Sequence, residues 1–331
     1  MSAWQLWLTP LAVLAVLLLF RFVGCDLVFP LDDVTFGPYP EEVMKDAPVA
    51  YWRMQETVAT TAVPGGTVKS ETGAHDGQLF LAQNPLPDDP ATLSPEADPL
   101  RLEIGVTPGL VAMDPAATCF RVQGGLVGVL QRPELNTAQF TIEALVQPEW
   151  GVTDPLRLGR YYCVVESSDQ PAAGSTITKR LGFALYAGPE DPTTPNTPYR
   201  WQLWVGNGSG FVQVKELDPV PNATREAPLV VAAPTYVAAT FDGSRAFLWV
   251  YSADRDIEQV KYELQLPPYV PNTDGDLTIG ISGARRSLIA PFPGPTRSMY
   301  PFSGKIQEVA YYNKALEEPR IISHLMSGFN Q

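Results

Sequence analysis

From residue 46 to the C-terminus, apolar and polar residues alternate in short runs broken by Pro, Gly, Asn and Asp. A period of two marks strands with one face buried. The runs are PVAYWRM (48–54), GQLFLA (77–82), ATCFRVQGGLVGVL (117–130), FTIEALVQPEW (140–150), YYCVVES (161–167), RLGFALYAG (180–188), YRWQLWVG (199–206), FVQVKEL (211–217), TYVAATFDGSRAFLWVYS (235–252), QVKYELQL (259–266), LTIGIS (277–282) and PFSGKIQEVAYY (301–312). In the fourth run Phe140, Ile142, Ala144 and Val146 oppose Thr141, Glu143, Leu145 and Gln147; in the last, Phe302, Gly304, Ile306 and Glu308 oppose Lys305, Gln307 and Val309. Gly124-Gly125 predicts a hairpin. One helix is expected near 317–326, with Pro319 in its first turn, Ile321, Ile322, Leu325 and Met326 on its apolar face, and Gly328 as its stop. About a dozen antiparallel strands in one stretch imply an all-β fold of two packed sheets, a sandwich or jelly roll.

The start of the chain breaks this pattern. Leu11 to Phe20 is an unbroken apolar run, of signal-peptide length, that becomes long enough to span a membrane if Arg21 is tolerated. FVGC (22–25) resembles a bacterial lipobox and makes Cys25 a candidate for lipidation, although Phe22 stands where an aliphatic residue is usual. Residues 1–25 read as a signal peptide or membrane anchor, 26–45 as a Pro-rich linker, and 46–331 as one domain. The expected location is outside the cytoplasm: cell surface, periplasm or medium.

Composition narrows the partners. Among 331 residues, 23 basic and 36 acidic side chains give a net charge of −13, the opposite of the basic footprint that nucleic acid requires. Three cysteines are too few for a disulfide scaffold, but Cys119 and Cys163 lie in strand-like runs and are candidates for pairing in an oxidising compartment. The alternative is two buried free thiols.

Four segments resemble, in order, the laminin G-like, concanavalin A-like jelly-roll family of bacterial surface and secreted proteins. They are VAYWRMQE followed by ETGAHDGQL (49–56 and 71–79), CFRVQGGLVGV with AQFTIEALVQP (119–129 and 138–148), YVAATFDGSRAFLWVYS (236–252), and FSGKIQEVAYYNKAL with RIISHLMSG (302–316 and 320–328). The resemblance implies a concanavalin A-like sandwich whose closing strand pairs beside its opening strand. It also implies a Ca²⁺ site between those strands, for which Glu56, Gln307 and Glu308 are the candidates. Gln307 stands where the family carries Asp, and a neutral amide weakens such a site.

Catalytic patterns are sparse. Glycosidic cleavage needs paired carboxylates; Glu143 and Glu149 are the nearest approach, separated by apolar residues. The two histidines, His75 and His324, give little material for a zinc site or a nucleophile–base pair. For binding, Trp201 and Trp204 fall on opposite faces of one strand, and Trp204 shares its face with Arg200 and Gln202. Phe247, Trp249 and Tyr251 share another face and read as core. Asn207-Gly208-Ser209 and Asn222-Ala223-Thr224 are glycan acceptors only in a eukaryotic secretory route. The expectation is a non-catalytic, lectin-like recognition module that binds a carbohydrate or a protein at the cell surface and is held to the membrane by its leader. A structural subunit of a surface assembly is the alternative, and a glycan-active hydrolase the weaker one.

Overall fold

In the computed structural model the described residues are 37–57, 66–81, 101–149, 161–169, 180–189, 199–215, 229–252, 260–265, 268–282 and 301–329, apart from Pro115, Gly124, Val230 and Asp274. The leader, Cys25, the linker up to residue 36 and the Asn222 acceptor lie outside them. No helix among the described residues is long and apolar enough to cross a membrane.

Residues 38–331 form one compact unit of two antiparallel sheets. The strands are β1 (Ala50–Trp52), β2 (Thr67–Val68), β3 (Gly77–Leu81), β4 (Arg101–Val106), β5 (Cys119–Gln123), β6 (Gly125–Val129), β7 (Phe140–Pro148), β8 (Tyr162–Asp169), β9 (Leu181–Pro189), β10 (Tyr199–Gly206), β11 (Phe211–Lys215), β12 (Thr235–Phe241), β13 (Arg245–Ser252), β14 (Val260–Gln265), β15 (Leu277–Ile279) and β16 (Ser303–Tyr312). The first sheet runs β14-β13-β12-β7-β16-β5-β4, and the second β11-β10-β9-β8-β15-β6-β3-β2. β1 pairs with the far half of β16, Trp52 opposite Val309, so the opening and closing strands meet as expected. The interior between the sheets takes one set of alternating residues: Phe140, Ile142, Ala144 and Val146 from β7, Trp201, Leu203 and Val205 from β10. Phe140 stacks on Phe183 at 4.6 Å across it.

Three local readings change. β5 and β6, which flank the expected Gly124-Gly125 turn, do not pair with each other. β5 pairs with β16 and β4 in the first sheet, while β6 pairs with β15 and β3 in the second. The two strands belong to different sheets, and Phe120, Val122, Val127 and Val129 enter one core from opposite walls.

The second change is helix α1 (Tyr39–Lys45), within the stretch read as linker. Tyr39 and Val43 bury against helix α2 (Glu318–Phe329), together with Ile321 and Leu325. Gly328 lies inside α2 rather than after it, and a Cβ there would meet the Tyr39 ring at 3.1 Å. It serves the close approach of the two helices.

The third is a β-bulge in β16. Register against β7 shifts between Gln307 and Ala310, with Glu308 at φ +54. Ile306 faces the core before the bulge, whereas Val309 and Tyr311 face it afterwards. Strict alternation therefore fails after Gln307.

Candidate functional site

Both sheets have an outer face rich in polar chemistry, and the two faces are built differently. That of the first sheet is roofed by α1 and α2. Glu143, on β7, is 0% exposed and accepts hydrogen bonds from Tyr236 (2.5 Å) and Tyr312 (2.6 Å). His324, from α2, is also 0% exposed; its Nδ1 lies 3.1 Å from both Glu143 oxygens, and its Nε2 3.0 Å from Asp46 Oδ2 and 3.1 Å from the Glu42 carbonyl. All four neighbours are acceptors, so both ring nitrogens carry protons and the ring is an imidazolium. Burial alone would lower the His324 pKa, but the charge and hydrogen bond of Glu143, with Asp46, raise it. Burial would likewise raise Glu143, and the His324 charge and three side-chain hydrogen bonds bring it below its ordinary value. Arg320 completes the set, reaching Asp46 at 2.7 Å and Glu42 at 3.4 Å. Every oxygen of Glu143 is engaged, which leaves it unsuited to act on a substrate.

Glu149, its sequence partner, lies beyond the end of β7 and is gripped by Arg121 at 2.8 and 3.3 Å. Glu149 lies six residue steps along the chain from Glu143, on the order of 20 Å in extended backbone. A glycosidase pair sits within about 10 Å, so Glu143 and Glu149 do not form one.

The bulge holds the second buried carboxylate. Glu308 is 0% exposed and accepts from the Tyr51 hydroxyl, Arg53 Nε (3.3 Å), Gln55 Nε2 (3.1 Å) and Gln307 Nε2 (3.2 Å). Burial pushes its pKa up to about 7, and Arg53 and the hydrogen bonds only partly oppose this. The residues proposed for Ca²⁺ meet here in part. Gln307 and Glu308 are adjacent, but the Gln307 side-chain oxygen Oε1 accepts from the Leu110 amide at 2.5 Å, and Glu56 stands apart, its Oε1 accepting from the Lys69 amide at 2.8 Å and its buried Oε2 without a partner among the described residues. Calcium asks for six to eight oxygens. The groups around Glu308 are N–H and O–H donors with a guanidinium among them, and they do not fit the ion. Thermal melts in Ca²⁺ and in EDTA are expected to coincide; a midpoint raised by several degrees in Ca²⁺ would restore the metal site.

The outer face of the second sheet carries the aromatics. On β10, Trp201 points into the core, and Arg200, Gln202 and Trp204 point out, the division expected from alternation. Arg200 is 3% and Gln202 1% exposed, so two of the three proposed ligand contacts are buried. Trp204 is half-buried. Its indole N–H donates to Gln202 Oε1 at 3.0 Å, and Gln202 in turn donates to the Pro189 carbonyl at 3.0 Å. Around the indole stand Tyr186 (4.8 Å), Tyr161 (5.1 Å, edge-on) and Phe211 (6.0 Å). Glu166, buried beside them, accepts from Ser168 and, at 3.4 Å, from Tyr186, whose hydroxyl also meets Ser282 Oγ at 2.8 Å. Tyr161, Tyr186 and Phe211 come from three neighbouring strand regions. Sequence alternation puts each on one of two faces of its own strand but does not say which strands are neighbours.

The proposed Cys119–Cys163 bridge does not form. Both thiols are free and buried, one on β5 in the first sheet and the other on β8 in the second. Cys119 alternates with the core residues Phe120 and Val122 and so faces outward, and Cys163 lies in the outward cluster with Tyr186. A core about 10 Å thick separates the sheets. Burial raises both thiol pKa values, Cys119 to about 11, which keeps them protonated and inert.

No family model matches the chain, and no curated protein matches it in sequence. Solved structures resemble it in shape. Domain 4 of AbnA, a GH43 extracellular arabinanase from Geobacillus stearothermophilus solved with arabinotriose, aligns at 12% identity over 84% of this chain and 97% of that one, TM-score 0.45. A Trypanosoma rangeli sialidase mutant displaying trans-sialidase activity aligns at 12% identity over 86% and 34%, TM-score 0.40. A putative carbohydrate binding protein from Bacteroides ovatus aligns at 17% over 57% and 41%, TM-score 0.31. Superpositions at this level identify neither a family nor a shared activity.

Proposed function

We propose that this chain is a non-catalytic recognition module that binds carbohydrate on the outer face of its second sheet, centred on Trp204. The observation that carries the reading is the state of that indole. It is partly exposed, its N–H is held by Gln202, and Tyr161, Tyr186 and Phe211 fix its plane. A rigid, half-wet aromatic ring offers apolar area to a sugar face without a large loss of side-chain entropy on binding. The buried Gln202 holds the indole rather than touching the ligand, and Arg200 is buried beneath the face. The engaged states of Glu143 and Glu149 favour binding over hydrolysis. Export and membrane attachment through residues 1–25 belong to the same proposal and rest on the apolar run and on Cys25.

A glycan array probed with the full chain is expected to give reproducible hits, and Trp204→Ala is expected to weaken them by about 1–2 kcal/mol, the apolar area that the indole no longer covers. A silent array together with a discrete higher-order species in light scattering would favour the structural-subunit reading. Turnover of a hit saccharide would convert the module into an enzyme, with Glu166 as the carboxylate to substitute first.

A further inference from the structure

We infer that the Trp204 face takes a carboxylate-bearing saccharide, with Arg180 as the residue that reads the acid group; this rests on the proposed carbohydrate role of that face. Arg180 immediately precedes β9, and its guanidinium carbon lies 6.0 Å from the centroid of the Phe211 ring. Phe211 in turn lies 6.0 Å from Trp204. Arg180, Phe211 and Trp204 are all half-buried, so each presents part of its surface to solvent. They make a short track, two rings and then a cation, on the scale of two linked sugar residues.

The cation is held in place, and no described carboxylate neutralises it. The Gly208 amide donates to the Arg180 carbonyl at 2.9 Å, and a Cβ on Gly206 would meet that same carbonyl oxygen at 2.5 Å, so the backbone of Arg180 is packed tightly against the β10–β11 turn. Arg53, Arg121, Arg245 and Arg320 each hold a carboxylate. Among the described residues Arg180 has no acidic partner, in a chain with 36 acids and 23 bases. Its guanidinium approaches the Phe211 ring in a cation–π contact, which orients it without consuming its donors.

The ligand's chemistry follows. The planar guanidinium fork matches a planar carboxylate through two parallel hydrogen bonds. One such residue suits one negative charge per site. The chain's −13 charge repels densely charged polyanions, which favours a short uronic or similar acidic sugar over a polysulfate.

The test is calorimetric titration of the full chain with four acidic saccharides: digalacturonate, a diglucuronate, a dimannuronate and a sialyl-lactose, each beside its neutral methyl ester. At least one acid is expected to bind on the order of tenfold more tightly than its ester, as one charge-assisted hydrogen-bonded pair provides. Arg180→Gln should bring that acid down to the affinity of its ester and leave the ester unchanged, whereas Trp204→Ala should weaken both. Equal binding of acid and ester by the wild type, or equal loss of both in Arg180→Gln, overturns the role of Arg180 and leaves the carbohydrate face standing. Tighter binding of a sulfated disaccharide than of any carboxylate overturns the ligand class. Silence toward every saccharide overturns the inference and the carbohydrate reading together.

Discussion

Replacing His324 by alanine is expected to destabilise the protein by about 3–5 kcal/mol, the cost of stripping a buried ion of its partner. Glu143 and His324 are both 0% exposed and meet at 3.1 Å. Without the imidazolium, Glu143 keeps the Tyr236 and Tyr312 hydroxyls but has no cation in hydrogen-bond contact. It then either stays charged in an apolar site or takes up a proton at a pH where it is normally ionised; both weaken the fold. The same substitution releases Asp46 and the Glu42 carbonyl from the ring, so α1 loses one of its ties to α2. Urea unfolding followed by tryptophan fluorescence measures the loss. Adding Glu143→Gln to His324→Ala should recover part of it, because the double variant has no stranded charge, and the cycle gives the coupling directly. A loss below about 1 kcal/mol for His324→Ala would mean that the ring is neutral in the native protein.

The second large effect is a fall in stability from mildly acidic to alkaline pH, made shallower by Glu308→Gln. Glu308 has a folded-state pKa of about 7 against an ordinary 4.5. A raised folded pKa means that its contribution is fully present below 4.5 and is lost as pH rises through 7. The difference corresponds to roughly 3 kcal/mol. His324, also raised, acts in the same sense, while Glu143, lowered, contributes stability that disappears only when acid protonates it. Stability should therefore peak in mild acid. In Glu308→Gln the amide keeps a neutral acceptor for Arg53 and Gln55 and does not titrate, so the alkaline limb should flatten. Urea midpoints from pH 4 to 9 on both proteins decide this, and parallel profiles would remove Glu308 as the cause.

The sheets were legible because the strands obey a period of two over most of their length. The same rule separated Trp204 from Trp201, three residues apart on β10. What escaped was non-local. A Gly-Gly pair between two alternating runs looks the same whether the chain turns back on itself or crosses to the other sheet, and only the partners of β5 and β6 distinguish the two. Helix α1 spans seven residues, too few for a helical period to declare itself, and its end is held from 274 positions away by Arg320 on Asp46. The bulge at Glu308 breaks alternation without changing residue types, so a strand reading set Glu308 on the face of Ile306 when it belongs to a buried polar cluster. The pairing of His324 is equally non-local, since nothing near it in sequence announces a carboxylate 181 positions upstream.

The central claim is that saccharides bind on the outer face of the second sheet around Trp204. Hydroxyl-radical footprinting of the full chain, with and without a saccharide that it binds, tests this most directly. Protection of Trp204, Tyr161 and Phe211 is the predicted result, with no change at exposed Met113, whose neighbour Ala112 bonds Gly328 of α2 over the first sheet. Unaltered labelling of Trp204 and its neighbours, with protection appearing elsewhere, would contradict it.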